Sequence, residues 1–352
     1  MHLLNTLTVI NTFEKSSIRD NISVIQFKQD VRKIVNNQIL DKEKTDLFLM
    51  NQQKLEPTSW IFIKDDLTQI KNKLQQNAKP LTEYVSIGQG ITTGRNDIFI
   101  VSKDVVEARD LEKDLLEKYI KTKDIQRYRI NFRNLYVILT LKEMNIENYP
   151  NTKKYLLQHK EELQQRYECQ KGQSTWYAVS VPRNLKLFEN ATGKILTPLY
   201  SKGNKFAYDD CDEDSMYYAL TDTYLMTRNE SSNVSLKYII GILNSTLINF
   251  YNKKFGKLKR DGYYEYSRNT LSDIPIKTVN FQNNDVKIQH DRMVSLVKQI
   301  LCMHQQLAKA TFPEQKTLLQ RQIEFIDRQI DQFVYELYGL TAEEIRIVEA
   351  GT

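Results

Sequence analysis

Residues Tyr238–Ile276 read YIIGILNSTLINFYNKKFGKLKRDGYYEYSRNTLSDIPI. An apolar, helix-length segment, Tyr238 to Tyr251, runs directly into Lys253, Lys254, Lys257, Lys259 and Arg260. Tyr263, Tyr264 and Tyr266 follow, then Arg268. Cations interleaved with aromatic rings suit a polyanion that carries flat bases. The cations neutralise phosphates and release counterions, and the rings stack or wedge. This stretch therefore points to nucleic acid.

The stretch also divides two kinds of chain. Upstream, from Leu81 to about Thr278, the sequence is β-rich. Strands are predicted at Tyr84–Gly88, Asp97–Ser102, Leu135–Thr140 and Lys194–Pro198, with a charged surface helix over Lys153–Arg166 and an acidic loop at Asp209–Asp214. Downstream, Met293, Val297, Ile300, His304 and Leu307 follow four-three spacing, as do Leu319, Ile323, Ile326, Ile330, Phe333 and Leu337. With Pro313 between the runs, this predicts two antiparallel helices packed through an a/d seam. Gly339 is placed to stop the second helix, and Thr341 to Glu344 form a capping box for a last short one. At the other end, Ile22–Phe27 and Asp46–Met50 alternate like strands. Two isolated strands cannot bury both faces, so they are expected to extend a sheet belonging to something else. Residues 63–78 read as an amphipathic helix with Leu67, Ile70 and Leu74 on one face. The expectation is an α+β chain: docking strands in 1–56, a linker helix in 57–80, a β-rich domain with peripheral helices in 81–278, and a C-terminal antiparallel helical hairpin with a cap in 285–352.

Composition permits this reading. The 352 residues carry a net charge of +6, modest enough that its distribution matters more than its sum. The three cysteines, Cys169, Cys211 and Cys302, form no Cys-x-x-Cys pair, which argues against a disulfide framework or zinc site and fits a reducing cytoplasm. No run reaches the ~20 apolar residues that span a bilayer, and the N-terminus lacks the pattern of a signal peptide.

The glycine cluster Gly88-Gln-Gly90-Ile-Thr-Thr-Gly94 is not a nucleotide loop. Thr93 occupies the third glycine slot, no Lys-Ser/Thr follows, and a strand rather than a helix is expected next. A tight turn using glycine for positive φ accounts for it, and Arg95 and Asn96 beside that turn suit guanine and adenine edges. Lys118 to Arg129, extended by Phe132 and Arg133, is a second basic–aromatic cluster in which Lys121, Lys123, Arg127 and Arg129 are candidate phosphate contacts. Asp124 within it is expected to orient Arg127. Trp176-Tyr177 reads as a packed corner, with Arg183 facing outward. Catalytic signals are nearly absent: no histidine has metal-ligand neighbours, and no Pro-Pro dipeptide exists for the aromatic-capped motif of an amino-methyltransferase. Glu189, Lys194 and Asp209 can be forced into a nuclease reading only at loose spacing.

In order along the chain come Trp60; Ile87-Gly-x-Gly-Ile-x-Thr-Gly94 with Asn96-Asp97 and Phe99-Ile100; and Lys123-Asp-Ile-x-Arg-Tyr128. Tyr149-Pro-Asn151, Tyr155-Leu156, Leu163, Arg166, Trp176-Tyr177, Lys194-Ile-x-x-Pro198, Phe206-Ala-x-Asp209, Leu243-Asn-Ser245 and Ile274-Pro-Ile276 follow. Together these resemble the TaqI-like C-terminal specificity (target-recognition) domain of adenine-specific DNA methyltransferases and type IIG restriction-modification enzymes, over about residues 57–350. The tail, Ile326-Asp-x-x-Ile330 to Val348-Glu349, resembles the end of such enzymes.

The departures matter. The cofactor and Asn/Asp-Pro-Pro-aromatic motifs of the catalytic domain are missing, and Thr122-Lys123 stands where Arg-Gly is usual. The resemblance thus implies a non-catalytic chain, either a separately encoded specificity subunit or the C-terminal piece of an interrupted gene. It would bind double-stranded DNA and a methyltransferase partner, and the partner would hold S-adenosylmethionine. The DNA contacts expected are Arg95, Asn96, Lys121, Lys123, Arg127, Arg129, Lys253, Lys254, Lys257, Lys259, Arg260, Tyr264 and Arg268. A cryptic metal-dependent nuclease, a methyltransferase adaptor that never touches DNA, and RNA recognition are the alternatives.

Overall fold

The computed structural model describes residues 21–27, 45–51, 65–189, 192–212 and 216–352. Two antiparallel strands, β1 (Asn21–Phe27) and β2 (Thr45–Asn51), pair from Asn21↔Asn51 to Phe27↔Thr45. Trp60 lies outside the described residues. Helix α1 (Asp65–Gln75) precedes β3 (Ala78–Pro80), β4 (Val85–Gln89), the one-turn helix α2 (Asn96–Phe99), β5 (Ile100–Ser102), α3 (Lys103–Arg109), β6 (Leu116–Tyr119) and β7 (Leu135–Ile138). Short helices α4 (Pro150–Leu157), α5 (Lys160–Gln164), α6 (Tyr167–Gln170) and α7 (Leu185–Glu189) lead to β8 (Lys194–Pro198), β9 (Tyr200–Ser201), β10 (Ala207–Asp209), β11 (Tyr217–Tyr218) and β12 (Thr223–Arg228). Then come α8 (Leu236–Asn244), α9 (Thr246–Phe255), β13 (Tyr264–Glu265), α10 (Arg268–Ser272), β14 (Pro275–Lys277), the long helices α11 (Asn284–Lys309) and α12 (Pro313–Tyr338), and α13 (Ala342–Ala350).

The antiparallel sheet β10–β8–β12–β4 is the organising element. β8 is buried along its whole length because both of its faces are covered. Ile195 joins Met226 and Ile87 in one core, whereas Leu196 joins Leu225 and Ala207 in another. Register enforces the split: Met226 stands opposite Ile195 and Leu225 opposite Leu196, so matched pairs leave the same face. The second sheet, β11–β6–β7–β5, supplies Tyr119, Val137, Ile138 and Val101 to the second core.

The first core is filled by α8. Every residue of α8 except Lys237 is buried, as expected of a helix that is apolar all round. It passes so close to α11 that a Cβ on Gly241 would strike the Met293 sulfur. The apolar run expected as one helix is two, parted at Ser245, whose extended backbone (φ −65°, ψ 153°) and Oγ cap α9. Asn244 explains the parting. Its side-chain amide donates to the Phe206 carbonyl at 2.8 Å and accepts from the Phe206 amide at 3.1 Å, so it pairs with that backbone as a strand would. This gives Leu243-Asn-Ser245 a structural reason to exist.

The C-terminal hairpin packs through Met293, Val297 and Ile300 against Ile323, Ile326, Ile330 and Phe333. Pro313 occupies the first turn of α12, where its missing N–H costs nothing. Gly339 ends that helix in the left-handed region (φ 67°), and Thr341 and Glu344 form the capping box. α1 joins the same core through the fully buried Ile70 and Leu74, and Lys73 pairs with Glu344 at 2.7 Å.

Several expectations are corrected. The strand expected from Asp97 begins only at Ile100, after a helical turn. The helix expected over Lys153–Arg166 is α4 and α5. Only Gly94 of the glycine cluster has positive φ (79°). Gly90 is needed for close approach instead, since a Cβ there would meet the carbonyl oxygens of Ala219 and Leu220. β12, a central strand, was not foreseen.

Candidate nucleic-acid interface

Lys257 to Glu265 folds back on itself. The Glu265 amide donates to the Lys257 carbonyl at 2.9 Å, the Lys259 amide donates to the Tyr263 carbonyl at 2.6 Å, and Leu258 stands opposite Tyr264. The turn at Arg260–Gly262 places Asp261 (φ 59°) and Gly262 (φ 76°) in the left-handed region, which these residue types tolerate. On its other edge β13 pairs with β9, Tyr264↔Ser201 and Glu265↔Tyr200. The result is a small three-stranded ribbon. Its period of two puts Lys257, Lys259, Tyr263, Glu265, Tyr200 and Lys202 on one face and Leu258, Tyr264 and Ser201 on the other. Ser201 is buried and Tyr264 packs against the first core, so the Lys–Tyr face is the one in solvent.

Glu265 sits at the centre of that face and accepts from Lys259 at 2.7 Å and Lys257 at 3.1 Å. Burial pushes its carboxyl up, but the lysine hydrogen bonds outweigh this and hold it at about 2. The same contact raises the Lys259 ammonium. Lys259 lies 5.9 Å over the Tyr200 ring and Lys202 5.4 Å over that of Tyr263. Arg260 is exposed at the tip and makes no ion pair among the described residues. Lys253 and Lys254 occupy the last turn of α9, where the helix dipole favours cations. Arg268 is exposed at the first turn of α10.

Residues 118–133 fare differently. Asp124, 1% exposed, forms an ion pair with Arg133 at 2.6 Å and accepts a hydrogen bond from the Lys121 amide at 3.0 Å, so its charged partner is Arg133 and not Arg127. Arg127 turns inward to Asp327 on α12 at 2.8 Å and to the Asn244 carbonyl at 2.7 Å. One turn further, Asp331 accepts from both Thr246 N and Thr246 Oγ1 at 2.7 Å, capping α9. Arg129 is half-buried; burial first, then Arg129 and Arg127, depress the His304 imidazole to about 4. Lys121 and Lys123 remain exposed, with no ion pair among the described residues. Arg95 is held by Asp97 at 2.7 Å and Glu162 at 2.5 Å, which keep its guanidinium above its usual range. The Asn96 side-chain Oδ1 accepts from Thr93 Oγ1 at 2.5 Å. The fold brings Asn96 and Lys121 to one cavity of about 570 Å³, lined also by Tyr119 and Tyr155.

Sequence reasoning missed Tyr200 and Lys202. Their signal was an aromatic–cation pair two residues apart, directly after the strand ending at Pro198. Of the neighbouring tyrosines, register turns Tyr264 toward the first core, whereas Tyr263 is 41% exposed on the lysine-bearing face.

The residues of the nuclease reading do not converge on solvent. Lys194 and Asp209 form an ion pair at 2.9 Å with both side chains fully buried, and Asp209 also accepts from the amides of Cys211 and Tyr217. The expected acidic loop thus begins inside the protein. Arg166 is similarly structural: buried, it donates to the carbonyls of Leu163, Thr93, Thr175 and Trp176 and so ties the Gly94 turn to the aromatic corner. Among the described residues, no group of His, Cys, Asp and Glu is placed to hold a metal ion, and no helix is long and apolar enough to cross a membrane.

Comparison with known proteins bears on this arrangement. The chain is 29% identical over 159 residues to the type II methyltransferase M.HincII of Haemophilus influenzae, covering 44% of this chain and 31% of that one. It is 24% identical to M.MjaIV of Methanocaldococcus jannaschii over 63% of this chain and 72% of the relative. With M.BstVI of Geobacillus stearothermophilus it shares 23% over 82% of this chain and 46% of the relative. It therefore spans only a third to a half of two of these three proteins. Among solved structures, the type IIL restriction-modification enzyme MmeI, determined in complex with DNA, superposes with a TM-score of 0.52 at 13% identity, over 78% of this chain and 36% of MmeI, which shows a shared fold. The model of the TaqI-like C-terminal specificity domain matches residues 117–276, a narrower span than the motifs suggest.

Proposed function

We propose that this chain is the sequence-specific DNA-recognition part of a restriction-modification adenine methyltransferase, either as a specificity subunit or as the C-terminal portion of a longer enzyme. The observation that carries the reading is the solvent-facing Lys–Tyr ribbon within the segment that matches a specificity domain. The ribbon, Lys253, Lys254 and Arg268 meet phosphates and set register, and side chains at loop tips read base edges. Arg95, Asn96, Lys121, Lys123 and Arg129 form a second contact zone, while Arg127 braces the domain against the hairpin.

The chemistry belongs to a catalytic partner that binds S-adenosylmethionine. Methylating a base in a duplex requires swinging it out of the stack, at a cost of a few kcal/mol that contacts from a recognition wall offset. The paired strands β1 and β2 are proposed to continue the partner's sheet, and the division into 1–56, 57–80, 81–278 and 285–352 is proposed on the same ground. The test is reconstitution with a methyltransferase that lacks its own specificity domain. Site-selective adenine methylation is expected only when both are present. Methyl transfer by this chain alone, or a reconstituted pair without sequence preference, would overturn the proposal.

A further inference from the structure

We infer that the hairpin Lys257–Glu265 enters the DNA major groove and that Arg260 at its tip reads a guanine. The inference rests on the DNA-recognition reading above and adds to it one base-reading residue and a groove. Three observations carry it. The third strand of the ribbon stops at Ser201, opposite Tyr264, so the tip is only two strands wide. A two-stranded ribbon fits a major groove about 12 Å wide. From the Lys257–Glu265 pairing to the turn is about three residues, or ~10 Å of strand, enough to reach base edges in a groove ~8.5 Å deep. The tip also stands clear of the body: Arg260, Asp261, Gly262 and Tyr263 are all exposed, and a Cβ on Gly262 would meet open space.

Charge is sorted along the ribbon in the way such a docking needs. Lys257 and Lys259, nearer the base, are already engaged by Glu265, and Lys202 lies over Tyr263. These flank the groove where phosphates run. Arg260 has no internal ion-pair partner among the described residues, and its planar fork matches the O6 and N7 acceptors of guanine in a way that a lysine ammonium does not.

The experiment is selection of duplexes from a randomised library by the full chain, alone and with its methyltransferase, for wild type, Arg260→Lys, Arg260→Ala and Lys202→Ala. Arg260→Lys keeps the charge at an exposed turn and so is expected to keep the fold and most of the affinity. It is nevertheless expected to lose about tenfold or more of the preference at one G·C pair while the other positions persist. Arg260→Ala is expected to lose that preference too. Lys202→Ala is expected to weaken every sequence evenly. An Arg260→Lys protein that selects the wild-type motif unchanged would overturn the inference and leave the DNA-recognition reading standing. A wild-type protein that selects no motif in either setting would overturn both.

Discussion

Two stretches of this chain have nearly the same composition and opposite fates. Residues 118–133 and 253–268 both interleave Lys and Arg with Tyr and Phe. In the first, the arginines are drawn into the structure, Arg133 to Asp124 and Arg127 to Asp327. In the second, Lys257, Lys259 and Arg260 stand on a ribbon with Glu265 as their only described carboxylate partner. The lesson is that a basic–aromatic run identifies a ligand only after internal acids have taken their share. The acid that claims Arg127 lies 200 residues away on a helix of the C-terminal hairpin.

Replacing inward cations should change stability and leave DNA binding alone, whereas replacing outward ones should do the reverse. Lys194 is the limiting inward case. Lys194→Met leaves Asp209 buried without its cation and is expected to cost about 3–5 kcal/mol in urea denaturation; a loss below ~1 kcal/mol would show that the interior absorbs the charge elsewhere. Arg127→Ala is expected to destabilise by about 1–3 kcal/mol while the slope of log affinity against log salt stays put. If that slope flattens, Arg127 contacts phosphate and the contrast between the two stretches fails. The triple change Lys257→Ala, Lys259→Ala, Arg260→Ala is expected to flatten the salt slope by roughly 0.9 per lost phosphate contact, with a stability loss, from leaving Glu265 without its lysines, smaller than that of Lys194→Met. An unchanged slope would remove the ribbon from the interface.

The pH response of Glu265 gives the smallest and most local test. Its carboxyl is held at about 2 against an ordinary 4.5, so its stabilising contribution is complete above pH 4.5 and drains away as pH falls toward 2. Glu265→Gln is expected to abolish that part of the acid sensitivity. It should also release two lysines and raise nonspecific DNA affinity a few-fold, read as a steeper salt slope. Tighter nonspecific binding without a steeper slope would mean that the lysines do not reach phosphate.

How much of this was legible in the sequence depended on whether one side of an element faced water. The hairpin of α11 and α12 was readable from its spacing, its proline and its caps, because each helix buries one stripe. β8 was readable from Ile195 and Leu196 beside Pro198. β12 was not: Leu225 and Met226 serve different cores just as Ile195 and Leu196 do, but no β-branched aliphatic residue or proline marks the segment as a strand. The ribbon was half legible. Its cations were evident in one segment, but β9 and the residue after it bring Tyr200 and Lys202 from some sixty residues upstream through a pairing of only two residues, too short to leave a pattern.

The shared sheet has a consequence for engineering. Because neighbouring side chains of β8 and β12 belong to different cores, neither lobe owns its wall. Transplanting half of this molecule into a relative would leave a raw apolar surface on donor and recipient alike, so new sequence preferences are better sought by exchanging protruding turns such as Arg260–Gly262 than by shuffling lobes. It also means that heating should melt the two lobes together, as one calorimetric peak.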